Sequence, residues 1–536
     1  MSQEVFDYIV VGGGSAGCIL SSRLANHGNL KVLLLEAGLA ADRNPETLSA
    51  DGFRDAFAND AVIIDRASTA QDNCGNRSLF AGSGRGMGGS GAVNGMVYTR
   101  GDKLDFAQWP KGWHWQDVEP TFIKLEESLR PRSRAGSPFT ELFIHSSAAL
   151  GFSREQDLNN GSINNKIGYN AMNFEGDKRR SSYVAFIRDE PPQNLTVKTD
   201  AHVHKLCLRR DNDNRHVVTS VRYRHQGAMH EASVKHEVIM CAGALETPKL
   251  LMLSGIGPRN ELEPVGITVD VESDGVGQNL HDHPNVCMFY RAKNPIDFGY
   301  PQLYGFNRAN PSTQLASGQA DTCYVLFSAP LTLHKSMLRM APVLALPGRL
   351  YKIKTLRSLL RGAINLAFKL AAVRSYVEKI YGIVVILGKP ESRGSIGLLS
   401  ADPEQQARID PAYYSERRDM DTLLAGVATA KKITEQAGMA AWGNKAMSLG
   451  GKSDDKTRVR KWAEAATMTT FHYCGSCAMG ETDKQPVDLE LRLKGVANIR
   501  VADASVIPEI PVSAINAPTM MIAYRAADFI LAGHSL

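Results

Sequence analysis

Cysteine is scarce. The 536-residue chain carries eight, scattered from Cys18 to Cys477, which excludes a disulfide scaffold and predicts reduced thiols in a cytoplasm. No uninterrupted apolar run reaches the roughly 18 residues of a transmembrane helix, and no basic, apolar, cleavable segment precedes the first strand pattern, so export by a signal peptide is not expected. Cys474-Gly-Ser-Cys477 has no second Cys-x-x-Cys to complete a zinc site, and packing is its expected role. His281 and His283 could face a metal, but no metal is assigned. Internal repeats and low-complexity tracts are lacking. What remains, 43% hydrophobic and 22% charged, is an ordinary globular composition, and the length implies two or three domains.

Acidic residues are scarce in one place. Between Leu331 and Tyr381 ten Lys and Arg face a single acid, Glu378, although the whole chain is only +5. Such a local excess is no nucleic-acid footprint over a domain, and no nucleic-acid partner is expected. From Leu356 to Val377, Arg357, Arg361, Asn365 and Lys369 recur at i, i+4, and Leu359, Leu360, Ala363, Ile364, Leu366, Ala367, Leu370 and Ala371 fill the rest. That spacing predicts an amphipathic helix, cationic on one face and apolar on the other. It would suit peripheral membrane contact through 331–381, a lid over an entrance, or a subunit contact.

The chain is organised around residues 5–38. A β-branched run from Val5 to Val11 leads into Gly12-x-Gly14-x-x-Gly17 and an apolar helix ending near Gly28, followed by a strand from Lys31 to Leu35 that ends in Glu36. Gly12 permits the tight turn, Gly14 lets the backbone approach a pyrophosphate, and Gly17 lets the helix pack on the strand. The helix N-terminus attracts the negative charge, and a carboxylate about 20 residues on can accept from ribose hydroxyls. This predicts a Rossmann-like dinucleotide fold. Further on, seven glycines between Gly82 and Gly95 rule out a regular helix or strand and suit a backbone wrapped round a ligand. A flexible linker is disfavoured because Met96, Val97, Tyr98 and Trp109 follow.

Five separated stretches in order resemble the glucose-methanol-choline (GMC) family of flavin-dependent oxidoreductases. They are the N-terminal fingerprint with the glycine-rich stretch 82–109, CAGALETPKLLMLSGIG (241–257), GVGQNLHDHP (275–284), TTFHYCGSCAMG (469–480) and VADASVIPEIPVSAINAPTMMIAYRAADFI (501–530). The resemblance implies an α/β fold in which a Rossmann-like FAD-binding domain carries an inserted α+β substrate domain built on an antiparallel sheet. The FAD domain would comprise 1–155, 195–290 and 460–536, and the substrate domain 156–194 and 291–459. Strands are expected at Leu195–Leu208, Val217–Tyr223 and Val234–Met240, then at Tyr381–Leu387 and Gly394–Leu399 in the substrate-domain sheet, with a helix over Met420–Ala437.

The same resemblance implies the site residues. FAD would be held by Gly12, Gly14, Ser15, Ala16, Gly17 and Glu36; by Gly88, Gly89, Ser90, Asn94, Gly95, Met96 and Val97; by Val203, through its backbone, and Ala242; and by Asp503, Ala504, Pro518 and Thr519. Val93 stands where some relatives carry a histidine bonded to the flavin, so FAD is expected to be non-covalent. His472 matches the family's base, since an alcohol yields a hydride only as its hydroxyl loses a proton, and neutral imidazole suits that task. Asn516 would orient the substrate oxygen, because an amide cannot act as a second base. The implied reaction is oxidation of an alcohol, with a quinone, another carrier or oxygen as electron acceptor. A lyase or light-driven decarboxylase on the same fold is the alternative, and a binding protein retaining FAD as a relic a further one.

Overall fold

The run ahead of the first glycine turn forms the strand Glu4–Val11, buried from Phe6 onward, and Val32–Leu35 beside it is buried throughout. In the computed structural model, which describes residues 4–346, 350 and 353–533, these two anchor a seven-stranded sheet. Its order is Leu195–Lys198, Val32–Leu35, Glu4–Val11, Ala228–Met240, His216–His225, Ala201–Arg210, with Ile499–Val501 alongside Val238–Met240. The pairings through Leu195–Lys198, Val32–Leu35, Glu4–Val11, Ala228–Met240 and Ile499–Val501 are parallel. The last two strands of the order form an antiparallel meander. Phe6–Val11 and Val32–Leu35 are covered on both faces, which is why they read as near-continuous apolar runs, whereas Leu195–Lys198 at the sheet edge is partly exposed. Burying the four side chains of Val32–Leu35 contributes on the order of 6–12 kcal/mol before chain entropy is counted.

A second, eight-stranded sheet is built on Pro284–Arg291, Ile380–Leu387, Thr322–Ser328 and Leu303–Asn307, all paired antiparallel. The helix Arg417–Thr434 covers it with Met420, Leu423, Val427, Ala430 and Ile433, one stripe at helical spacing. Ser395–Gly397 is not part of that sheet as expected, because it pairs with Arg408–Asp410 in a separate hairpin. The boundary at 155 also falls too late. Helix Pro138–Ala148 buries Phe139, Phe143 and Ile144 in the second core, and Ser153–Arg154 pairs with Lys166–Ile167 of the second sheet.

The basic insertion departs most from expectation. It forms helices Ala329–Ala345, Lys354–Lys369 and Ala371–Val377. Leu370, with ψ 126°, breaks the single helix expected over Leu356–Val377. Arg349 and Lys352 lie outside the described residues. The cations of Lys354–Lys369 do not face outward together. Arg357 reaches Asp65 at 3.0 Å and Arg361 reaches Asp60 at 2.8 Å, with side chains 14% and 22% exposed. Arg339, fully buried, joins Asp60 at 2.9 Å. The outward face instead carries leucines, Leu359, Leu366 and Leu370, exposed at 72%, 66% and 58%, among exposed Thr355, Ser358 and Asn365.

Candidate active site

A cavity of about 730 Å³ takes Val11 and Leu35 from the first sheet and Tyr304 and Leu326 from the second. At its base the two glycine-rich stretches cross. Gly12, at φ +104°, lies so close to Cys241 that a Cβ would stand 2.4 Å from the Cys241 carbonyl oxygen. Gly89, at φ +50°, passes over Gly14, where a Cβ would stand 2.7 Å from the Gly14 Cα. The Gly88 N–H donates to the Gly13 carbonyl at 2.7 Å and locks the crossing. Beyond it, helix Ser15–Ala25 begins at the cavity with no side-chain cap, so its first N–H groups and positive dipole end are available to an anion.

Glu36 is buried, and its carboxylate binds protein before any ligand. Oε2 accepts from Gly13 N–H at 2.8 Å, and Oε1 from Gly38 and Gly86 N–H at 2.7 and 2.9 Å. Burial raises its pKa, and these three donors pull it back. A carboxylate has about four acceptor sites, so one is left for a ribose hydroxyl. Asp503 is more fully engaged: Gly243 N–H, the Thr247 hydroxyl, and the N–H and hydroxyl of Ser505 all donate to it at 2.6–2.8 Å. Its carboxylate ties the 241–247 loop to the C-terminal segment, leaving its backbone to meet a ligand.

The 469–472 segment runs off a pairing of Thr469 with Pro284 into a strained turn. Phe471 has φ +62°, a left-handed conformation that costs a bulky residue about 1–3 kcal/mol. Two contacts hold it there: Phe471 N–H donates to Thr469 Oγ1 at 2.7 Å, and His472 N–H to Asp282 Oδ1 at 2.6 Å. Asp282 also accepts from the hydroxyls of Thr469 and Tyr413, each at 2.5 Å, and burial pushes its pKa up to about 6. The His472 ring lines the cavity, and burial pushes its pKa down to about 4, so it is a neutral imidazole at neutral pH. Its Nδ1 lies 2.9 Å from Nδ1 of His283.

Asn516 opens the last helix, Asn516–Ala532, and lines the same cavity. Its Oδ1 accepts the Ser15 hydroxyl at 2.8 Å, which leaves the amide N–H groups as what it can offer a substrate oxygen. Phe57, Phe80 and Phe471, packed edge to face at 5.9–6.4 Å, line the same cavity. With Tyr300 they give the cavity an aromatic wall.

Of the residues expected from sequence, Gly12, Gly14, Ser15, Ala16, Glu36, Gly89, Ser90, Asn94, Gly95, Val97, Val203, Ala242, Asp503, Ala504, Thr519, His472 and Asn516 all line this one cavity. Gly17, Gly88, Met96 and Pro518 do not reach its wall. Gly17 packs helix on strand, its Cβ position blocked by the Gly12 carbonyl oxygen at 1.9 Å. Met96 is buried against Ala50 and Met172, and Pro518 within the last helix. Sequence reasoning missed Arg66, Glu246 and Lys249, a partly buried ion cluster on the wall with Arg66 and Lys249 at 2.7 and 3.3 Å from Glu246. It also missed Arg179. This fully buried guanidinium donates to the Gly91 carbonyl at 3.0 Å and to Asn94 at 2.6 and 2.8 Å; burial lowers its pKa to about 9. Lys249 is only three residues from Glu246, but Arg66 lies 180 residues from Glu246 and Arg179 lies 85 from Asn94, so spacing could find neither group.

A glycine cradle in which a Cβ at Gly12 or Gly89 would collide with backbone, an uncapped helix N-terminus at its floor and a buried carboxylate with one acceptor site left fit the diphosphate and ribose of a dinucleotide. With a neutral imidazole in the same cavity, they define a dinucleotide-dependent oxidoreductase. The comparisons name the family. Models of GMC oxidoreductases match residues 6–285 and 390–523, and the chain belongs to that family of FAD-dependent enzymes. Over 98% of its length it is 30% identical to 96% of the alcohol dehydrogenase [acceptor] of Pseudomonas putida. It is 29% identical to the oxygen-dependent choline dehydrogenase of Vibrio vulnificus, covering 99% of this chain and 95% of that one. Among solved structures, the pyridoxine 4-oxidase from Mesorbium loti superposes over 99% of this chain and all of that one, with TM-score 0.82 and 25% identity.

Proposed function

We propose that the chain oxidises a fairly hydrophobic primary alcohol to the aldehyde and passes the electrons to a quinone or a comparable carrier. The observation that carries this reading is the pairing, in one aromatic-walled cavity, of a neutral His472 with the amide N–H groups of Asn516. His472 takes the hydroxyl proton, and Asn516 donates to the oxygen as its charge grows. FAD, when bound, supplies the hydride acceptor. Gly12, Gly14, Ser15, Ala16 and Glu36 would hold its diphosphate and ribose, Val203 its adenine, and Gly89 to Val97 with Ala504 and Thr519 its flavin end. Val93, which lines the cavity, has no nucleophilic atom, so attachment is non-covalent. The aromatic wall of Phe57, Phe80, Phe471 and Tyr300 favours an apolar substrate.

Anaerobic addition of straight-chain alcohols to the yellow holoenzyme should bleach it in the dark, increasingly with chain length. His472→Ala should keep the colour and slow bleaching by about 10² to 10⁴. No bleaching by any alcohol would sink the reading and favour the lyase or decarboxylase alternative.

The insertion supports a site at the inner face of the cell membrane, through a different surface from the one its sequence suggested. Arg357 and Arg361 are held on Asp65 and Asp60. The outward strip of Leu359, Leu366 and Leu370, rimmed by exposed Lys354, Lys369 and Arg374, fits an anionic bilayer surface. Three cations there contribute about 1 kcal/mol each, and the leucines add burial in the headgroup boundary. The preceding helix puts Thr332 and Ser336 on the cavity wall, so docking would bring the substrate entrance to the lipid. Co-sedimentation with phosphatidylglycerol vesicles should be lost when the three leucines become Gln and retained when Arg357 and Arg361 do. The reverse pattern would overturn this docking face.

A further inference from the structure

His283 is 1% exposed, and both its ring nitrogens are engaged. Nε2 stands 3.0 Å from the carbonyl oxygen of Gly388, and Nδ1 stands 2.9 Å from Nδ1 of His472. A carbonyl oxygen only accepts, so Nε2 carries the hydrogen. Burial, with positive Lys389 nearby, keeps the ring neutral, and Nδ1 of His283 then presents a lone pair. The hydrogen in the bond between the two rings therefore belongs to Nδ1 of His472. Nε2 of His472, on the far side of that ring, is the basic nitrogen.

The anchor of this chain is rigid. Gly388 N–H donates to the Asp321 carbonyl at 2.8 Å, and a Cβ on Gly388 would stand 2.4 Å from Val512 Cγ2. The carbonyl thus keeps its aim. Asp282, next to His283, fixes the other side of the pair by accepting the His472 backbone N–H.

We propose that His283, oriented by the Gly388 carbonyl, is a positioning residue that fixes the tautomer of His472 and reserves Nε2 for the hydroxyl proton of the substrate. The use of that nitrogen rests on the alcohol-oxidation reading; the tautomer does not. In the step, the O–H bond breaks and an N–H bond forms at Nε2, giving an imidazolium whose Nδ1–H still donates to His283. That bond becomes charge-assisted and strengthens as the proton arrives. The opposite tautomer would turn a lone pair of His283 Nε2 against the Gly388 carbonyl and close Nε2 of His472 to the substrate.

The test separates this role from a structural one. In His283→Asn the amide replaces Nδ1, so its oxygen can still accept from His472. In His283→Gln the amide replaces Nε2, keeping the Gly388 contact and losing the acceptor. Long-range ¹H–¹⁵N spectra of the ¹⁵N-histidine-labelled holoenzyme, assigned with His472→Gln, should show His472 protonated at Nδ1 in wild type and in His283→Asn, and mixed in His283→Gln. Anaerobic flavin reduction should slow roughly 10- to 100-fold in His283→Gln, less than when the base itself is removed, and stay near wild type in His283→Asn. A wild-type His472 protonated at Nε2 would overturn the proposal, as would equal slowing in both variants with the tautomer unchanged. The predicted tautomer without bleaching by any alcohol would instead overturn the functional reading.

Discussion

Replacing Glu36 by Ala removes more than a ribose contact. Three buried N–H groups, on Gly13, Gly38 and Gly86, lose their acceptor at once. Each unsatisfied buried donor costs about 1–3 kcal/mol, so the fold loses roughly 3 kcal/mol or more, less where water enters the space vacated. Spread over the unfolding entropy of a chain this long, about 1.1 kcal/mol per kelvin at roughly 2.1 cal/mol/K per residue, the melting temperature falls by about 3 °C. The fall is larger if the part around the first sheet unfolds separately. The loss should appear in the apoprotein as well as the holoenzyme, and the ribose contribution as a further weakening of FAD binding. Thermal scans with and without excess FAD, beside equilibrium dialysis of the flavin, measure the two separately. Glu36→Gln, which keeps one carbonyl acceptor, should fall between. If the Ala apoprotein melts where wild type does, the brace between the two glycine-rich stretches is not what the carboxylate is for. If FAD affinity is unchanged, the ribose role fails.

Three further outcomes follow from the same geometry. Asn516→Ala should slow flavin reduction with little loss of bound FAD, read by stopped-flow absorbance and by flavin content; a variant that lost only FAD would make Asn516 a cofactor residue through its bond to Ser15. Acid denaturation should release all the flavin to the supernatant, and colour left in the pellet would contradict the non-covalent assignment drawn from Val93. The His472 pKa lies below its ordinary value of 6.5, at about 4, so the neutral base is present above that value and lost as pH falls through it. The acid limb of kcat/KM should therefore lie below pH 6.5, and a limb at or above 6.5 would refute burial as the factor that sets this base. Because the unfolded histidine binds a proton that the folded one refuses, this group's contribution to stability also declines as pH drops from about 6.5 towards 4.

What the sequence determined by itself was whatever depends on neighbours in the chain. The strand, glycine turn, helix and terminal Glu36 of residues 5–38 are fixed by period, by the absence of Cβ atoms and by spacing. The resemblance of five such stretches then sufficed for the family, the cofactor and a residue list most of which meets in one cavity. The tertiary structure decided whatever depends on partners remote in the chain. Arg357 and Arg361 looked like one cationic face until Asp65 and Asp60, 292 and 301 residues away, drew them inward and left the leucines outside. A periodicity records which residues share a side of a helix, and only packing says which side meets water. Glu36 could be read as a ribose acceptor, but its three N–H donors come from loops brought together by the crossing of Gly14 and Gly89. His472 could be read as a base from its motif. Which of its nitrogens is basic depends on His283, 189 residues earlier, and on a carbonyl a further 105 residues from that, because a hydrogen's place on a ring is set by what the ring touches in space.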